Sequence, residues 1–209
     1  MTRSLIITLA LSSALACTQN PRAWAGKVTS HDQLIGGARA IGELGDFRLS
    51  NNRVRFIVQG LESHPGFKGS RAVGTFGGAL IDADLTRSDE TSDVRTNLNG
   101  HDNLGELFPA FFLSALEPTS IAVIADGSDG RAAHLRVEGD PSEFITATQF
   151  VDKIVLRPGL HFVLDYVLEP ADDFLKITAS IENPGAGSIP FPISQFPIPI
   201  GFICLFGQD

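Results

Sequence analysis

Residues 45–59, GDFRLSNNRVRFIVQ, read as a β-hairpin in which strands over 46–49 and 54–58 flank the turn Ser50-Asn51-Asn52-Arg53. With Asn51-Asn52 as a two-residue turn, Leu49 is expected to face Val54 and Phe47 to face Phe56. One face of the ribbon is then apolar, and Arg48 and Arg55 oppose each other on the other. Like charges directly across a ribbon repel, so an acidic neighbour is expected beside them.

The next strong strand, ALIDADL at 79–85, carries the candidate neighbours. Simple alternation puts Leu80, Asp82 and Asp84 on one face and Ala79, Ile81, Ala83 and Leu85 on the other. Two carboxylates two residues apart on a strand lie about 7 Å apart, a spacing compatible with divalent-metal binding or acid–base work. The plainer reading, which we prefer, is a solvated face or a charge balance for Arg48 and Arg55.

The same grammar continues downstream. The run over 107–113 is apolar and bound for the core, and 121–125 and 132–137 read as strands joined by the hairpin turn Asp126-Gly127-Ser128-Asp129-Gly130. Short strands are expected over 144–150 and 153–157. The clearest alternation is 161–168, with Phe162, Leu164, Tyr166 and Leu168 on one face and His161, Val163, Asp165 and Val167 on the other. After a turn at 170–173 the chain returns with Leu175, Ile177, Ala179 and Ile181 facing in. With 21 Gly and 12 Pro punctuating short apolar runs, the expected class is all-β: an antiparallel β-sandwich or supersandwich, incomplete at its C-terminus. The segments Ile189-Pro190-Phe191-Pro192-Ile193 and Phe196-Pro197-Ile198-Pro199-Ile200 are apolar, but proline denies them ladder hydrogen bonds. The tail is therefore expected to pack poorly or to cover a sheet edge.

The N-terminus supplies an address. Arg3 precedes an apolar run from Leu5 to Ala16, about a dozen residues where a membrane span needs roughly 20, so it reads as a signal peptide. Cys17 follows Ala14-Leu15-Ala16, similar to the lipobox of bacterial lipoproteins, in which that Cys is acylated and becomes the mature N-terminus. Here Ala14 stands where such proteins usually carry Leu. A rival cleavage site, Ala23-Trp24-Ala25, would discard Cys17 and release a soluble protein. The resemblance implies a membrane partner through a lipid anchor at Cys17 and, with Thr18 following, delivery to the outer membrane or a periplasm-facing lipoprotein; the rival implies secretion. The expected organisation is a signal peptide over 1–17, a tether over 18–40, the β-domain over 41–185 and a Pro-rich apolar tail over 186–209. Cys204 is the only other cysteine. No disulfide framework follows, and Cys204 reads as a small buried hydrophobe.

Charge excludes one class of partner. The formal net charge is −8, and no Lys/Arg cluster follows the N-terminus, so nucleic acid is not expected. The five histidines (His31, His64, His101, His134 and His161) are isolated, and no nucleophile elbow, phosphate loop or dinucleotide fingerprint is present. The Asp/Asn-rich loops around 97–103 and 126–130 offer oxygen ligands for Ca²⁺ without the EF-hand spacing, and no other cofactor is expected.

The strand and turn signatures at 45–56, 77–84, 105–109, 156–159 and 181–185 resemble the non-catalytic N-terminal β-region of exported bacterial proteins of the CehA/McbA (PHP-type) metallohydrolase group, and more loosely galactose-mutarotase-like supersandwiches. The resemblance implies a β-domain. The first group's ligand pattern of paired histidines is missing here, and no residue matches the mutarotase catalytic His and Glu. The expected function is a lipid-anchored, non-catalytic surface, binding or spacer module, with a glycan or an envelope protein as partner. Two alternatives stay open: a carbohydrate-binding or carbohydrate-active supersandwich whose site gathers Arg55, Asp82, Asp84 and His161, with Arg48 a further candidate binding residue, and a relative of the hydrolases shortened so that it lacks the catalytic domain.

Overall fold

A computed structural model describes residues 21–37, 39–61, 76–86, 100–102, 104–111, 114–143, 159–187 and 201–206. The expected strands at 144–150 and 153–157, most of the polar loop after Thr86, the segments carrying Cys17 and His64, and the Pro-rich part of the tail lie outside these residues. The strands are Trp24–Lys27 (β1), Phe47–Ser50 (β2), Val54–Val58 (β3), Leu80–Leu85 (β4), Leu104–Phe111 (β5), Ser114–Asp126 (β6), Ala133–Glu143 (β7), His161–Leu168 (β8), Lys176–Glu182 (β9) and Gly201–Phe206 (β10). Every ladder is antiparallel, and β1 to β9 follow one another in space as they do in sequence. The all-β expectation holds, the strands folding into two antiparallel layers consistent with a sandwich. No helix among the described residues is long and apolar enough to cross a membrane.

The fold-over occurs at β5. Its ladders to β4 and β6 are short, a single partnership Leu80↔Leu107 with β4 and the pair Ala110↔Ala115 and Phe111↔Ser114 with β6. The meander therefore turns there, which brings β1 against β6 and β7 and β2 against β7. Between the layers lie Leu49, Val54, Val58 and Leu80 from the first sheet and Leu116, Leu135, Val137, Phe162, Leu164, Tyr166 and Leu168 from the second. Burying such side chains is worth about 1.5–3 kcal/mol each against leaving them exposed. The alternation read in β8 is what the core uses: Phe162, Leu164, Tyr166 and Leu168 are all buried. The end of the tail covers a sheet edge as expected, since β10 pairs antiparallel with β5.

Three sequence expectations are corrected. The hairpin is two residues out of register: Leu49 pairs with Phe56 and Phe47 with Val58, so Arg48 lies across from Ile57 and Arg55 from Ser50. The turn is centred on Asn52-Arg53, because the Asn51 side chain acts as its closing acceptor. Asn51 Oδ1 accepts from the Arg53 and Val54 N–H groups, at 2.8 and 3.0 Å, and its backbone N–H donates to the Val54 carbonyl. Its Nδ2 donates to the carbonyls of Glu169 and Asp172, tying this turn to the one between β8 and β9. Asn51→Ala breaks all four side-chain bonds, and we expect a loss of about 2–4 kcal/mol, given roughly 1 kcal/mol per bond and more for each group left buried. Urea unfolding checks this; a loss under about 1 kcal/mol would contradict it.

Strand β4 does not alternate simply. A bulge between Ile57 and Val58 makes Asp82 partner Ile57 while Leu80 partners Val58, leaving Ile81 as the extra residue. Leu80 and Ala83 therefore join the core between the sheets, whereas Ile81 packs with Ala79, Ile57, Val28, Leu34 and Ile35 on the opposite side.

The second half of the expected tether is also part of the fold. Residues Trp24–Lys27 pair with β2, and Val28, Leu34 and Ile35 are buried. A short 3-10 turn at His31–Gln33, started by a capping box on Ser30, bends this segment across the outer face of β2 to β4. The first sheet is thus covered on both faces.

Candidate functional site

That cover decides the environment of the predicted charges. Arg55, Asp82 and Asp84 project from β3 and β4 into the layer beneath residues 28–46, and Arg55 and Asp82 are buried. Asp82 Oδ1 accepts from the Ile41 N–H at 2.9 Å and Oδ2 from the Gly42 N–H at 2.8 Å. Gly42 is needed for this approach, since a Cβ there would stand 2.6 Å from Asp82 Oδ2. Asp84 Oδ2 receives Arg55 Nη2 at 3.2 Å, with both side chains at most 4% exposed, and also the His101 N–H at 3.0 Å. Arg48 Nη1 donates to the Gln33 carbonyl at 3.0 Å.

The acidic neighbour inferred from the two arginines is therefore present, at Asp84, and it pairs with Arg55. The expected solvated face is not: the cover has turned it into an interior polar layer. Two further carboxylates complete it: Asp46, which the sequence did not single out, and Asp102, from the 97–103 loop expected to offer oxygen ligands. Asp46 accepts from the Gly60 and Glu43 N–H groups, at 2.9 and 2.7 Å. Asp102 Oδ1 accepts from Ala83 N–H at 2.8 Å and Leu104 N–H at 3.3 Å. The Asp-Phe context of Asp46 resembles any strand start, so no local pattern marked it; Asp102 was legible as part of an oxygen-ligand set but not as an acceptor of backbone N–H groups.

Burial penalises the ionised carboxylate and dominates at two of these groups. It pushes Asp82 up to about 7 against the pull of the Ile41 and Gly42 N–H groups, helped by the charges of Asp102 and Asp46. It likewise pushes Asp102 up to about 6, helped by Asp84. The folded protein then holds protons that the unfolded chain has already released above about pH 4, so stability falls as pH rises from about 4 to 7. We expect a higher urea midpoint at pH 5 than at pH 8, and a smaller difference in Asp82→Asn. A midpoint that climbs between pH 5 and pH 8 would contradict this.

His161 lies elsewhere, on β8 in the other sheet. Its Nδ1 is 3.5 Å from Asp140 Oδ1, and it partners Glu182 of β9. These side chains border an open cleft of about 490 Å³ with Pro141, Gly159, Leu160 and Pro184. Further along the same outer face Asp165 binds both neighbours on β7, accepting from Arg136 Nε at 2.8 Å and lying 2.6 Å from His134 Nε2. Burial alone would raise the Asp165 carboxyl, but the Arg136 and His134 hydrogen bonds hold it below the usual range.

The five predicted binding residues thus divide into an interior set (Arg48, Arg55, Asp82, Asp84) and an outer-face residue, His161. No group of three or more His, Cys, Asp or Glu side chains able to hold a metal ion occurs among the described residues. The Asp126–Gly130 loop forms the hairpin turn expected of it, with Gly127 and Gly130 at φ of 76° and 81° and the Ser128 N–H donating to Asp126 Oδ1. No protein-family model, curated protein or solved structure matches the chain.

Proposed function

We propose that this protein is an exported, lipid-anchored β-sandwich that serves as a binding or spacer module at the cell envelope, acylated at Cys17. The observation that carries the reading is the position of β1. Cleavage after Ala25 would cut inside that strand, removing Trp24 and Ala25 from their partners Ser50 and Leu49 and taking the buried Ala23 out of the core. Cleavage before Cys17 leaves β1 whole and keeps a short leader between lipid and domain. The non-catalytic part of the reading is supported by how the interior charges are engaged. Asp46, Asp82, Asp84 and Asp102 hold backbone N–H groups of the covering segment and its neighbours, which is the work of architecture.

The test is the mature N-terminus. Expressed in a Gram-negative host with labelled palmitate, the full chain is expected to take up label and to give a mature mass beginning at an acylated Cys17. Cys17→Ser is expected to lose the label and stay unprocessed at that point. A mature chain beginning at Gly26, or an unlabelled wild type, would overturn the anchor.

A further inference from the structure

We propose that the end of the sandwich where the chain enters from Cys17 docks on a neutral phospholipid surface, with Trp24, Ile124 and Phe174 entering its interfacial layer. The proposal rests on the anchor in the proposed function and adds what the domain itself does once tethered. Turns and register define that end. Trp24 opens β1 opposite Ser50, which leads into the β2–β3 turn, and Leu85 closes β4 opposite Val54 on the far side of the same turn. Asn51 in that turn donates to the Glu169 and Asp172 carbonyls, so the β8–β9 turn and Phe174 after it lie at the same end. Gly127 of the β6–β7 turn packs against the Ala23 carbonyl with no room for a Cβ, which brings Ile124, three residues earlier, there too.

Seven large apolar side chains are exposed among the described residues, and five of them are at this end: Trp24, Leu85, Val123, Ile124 and Phe174. Leu85, Ile124 and Phe174 are exposed by 57, 53 and 58%. The other two, Leu44 and Leu61, flank the Phe47↔Val58 pairing at the opposite end of the hairpin. A single exposed apolar side chain is ordinary; a concentration of them at one end of a domain marks a contact surface.

Chain length names the occupant. Seven residue steps lead from Cys17 to Trp24, a reach of about 25 Å at full extension. An acyl group on Cys17 seated in a bilayer therefore holds this end at the surface. The opposite end stands a strand length farther out, about 26 Å for the eight residues of β8. Trp is the residue type that favours the headgroup level, because its ring is apolar and its N–H polar. Charge contributes little. Asp126 accepts from the Ser128 N–H and Asp129 pairs with Arg131 at 2.6 Å within their own turn, and no run of Lys or Arg lies at this end. Docking is therefore apolar, indifferent to salt and not raised by anionic lipid.

Trp24 is the only tryptophan in the chain, so its fluorescence reads this end alone. The test uses the purified, acylated mature protein in vesicles of phosphatidylethanolamine and phosphatidylcholine, with and without bromine on the acyl chains. We expect blue-shifted emission, quenching by the brominated lipid and weak quenching by aqueous acrylamide, all unchanged by added salt or by phosphatidylglycerol. The double variant Ile124→Ser, Phe174→Ser keeps the leader and its acyl group. It is expected to lower the ratio of docked to undocked protein about tenfold or more, the scale of large apolar side chains withdrawn from lipid, and so to restore acrylamide quenching. Both side chains are more than half exposed, so unchanged thermal unfolding is expected and separates lost docking from lost folding. A tether alone would protect Trp24 equally in the wild type and the variant. That equality, or a Trp24 open to acrylamide in the acylated wild type, would overturn the proposal and leave the anchor standing. A wild type that takes up no palmitate would overturn both.

Discussion

Tyr166→Ala is expected to lower stability by about 4–6 kcal/mol, enough to unfold a domain of ordinary marginal stability at 37 °C. Tyr166, the only tyrosine in the chain, is fully buried between the sheets. Its hydroxyl donates to the Gly78 carbonyl at 2.7 Å, and burial, with the Glu106 charge nearby, pushes the phenol far above its ordinary range. The side chain thus joins β8 to the turn that leads into β4. Truncation removes a large aromatic group from a packed interior, at about 3–5 kcal/mol, and leaves a buried carbonyl without its donor, at about 1 kcal/mol more. Tyr166→Phe isolates the second part and is expected to cost about 1–2 kcal/mol. Chemical denaturation of both variants checks the pair. A Phe variant as damaging as the Ala variant would mean that the hydroxyl, and not the ring, dominates.

Arg55→Met is expected to cost about 3–5 kcal/mol, because it strands the Asp84 carboxylate in an interior that no longer supplies its guanidinium. The pair is 3.2 Å apart with side-chain exposures of 3% and 4%, so solvent screens it little. Asp84 keeps its His101 and Leu85 N–H donors, which limits the loss without removing the charge. Adding Asp84→Asn to Arg55→Met removes that charge and is expected to recover about 1–2 kcal/mol, a coupling that a double-mutant cycle reads directly. Strictly additive losses would show that the two side chains do not depend on one another.

Where local pattern and tertiary contact agreed, the sequence was readable. The alternation in β8 survives because each inward position meets the core, while His161 and Asp165 on the other face meet polar partners on β7. The 126–130 hairpin turn was readable for a similar reason: its Asp and Gly residues satisfy their own backbone locally. The opening hairpin was readable as a hairpin but not in its register. Asn51 and Asn52 both suit a turn, and only the bonds from Asn51 to Glu169 and Asp172, more than a hundred residues away, distinguish them.

The interior polar layer was legible only in part. An acidic partner was expected because the two arginines were read as directly opposed; the observed register sets Arg48 across from Ile57 and Arg55 across from Ser50, and Asp84 nevertheless pairs with Arg55. Its burial did not follow, because that depends on residues 28–46, whose polar composition and paired glycines look like a tether. The faces of Leu80 and Ile81 were misread because a bulge is a property of two paired strands; the period of one strand does not contain it.

The amino-acid sequence alone determined the all-β class and the inward face of β8, since propensity and periodicity act over a few residues. Only the tertiary structure decided which face of the first sheet meets solvent, which asparagine closes the hairpin, and that Trp24, Ile124 and Phe174 gather at one end of the sandwich. Those outcomes depend on cross-strand register and on a covering segment, and both are settled by contacts between residues far apart in the chain.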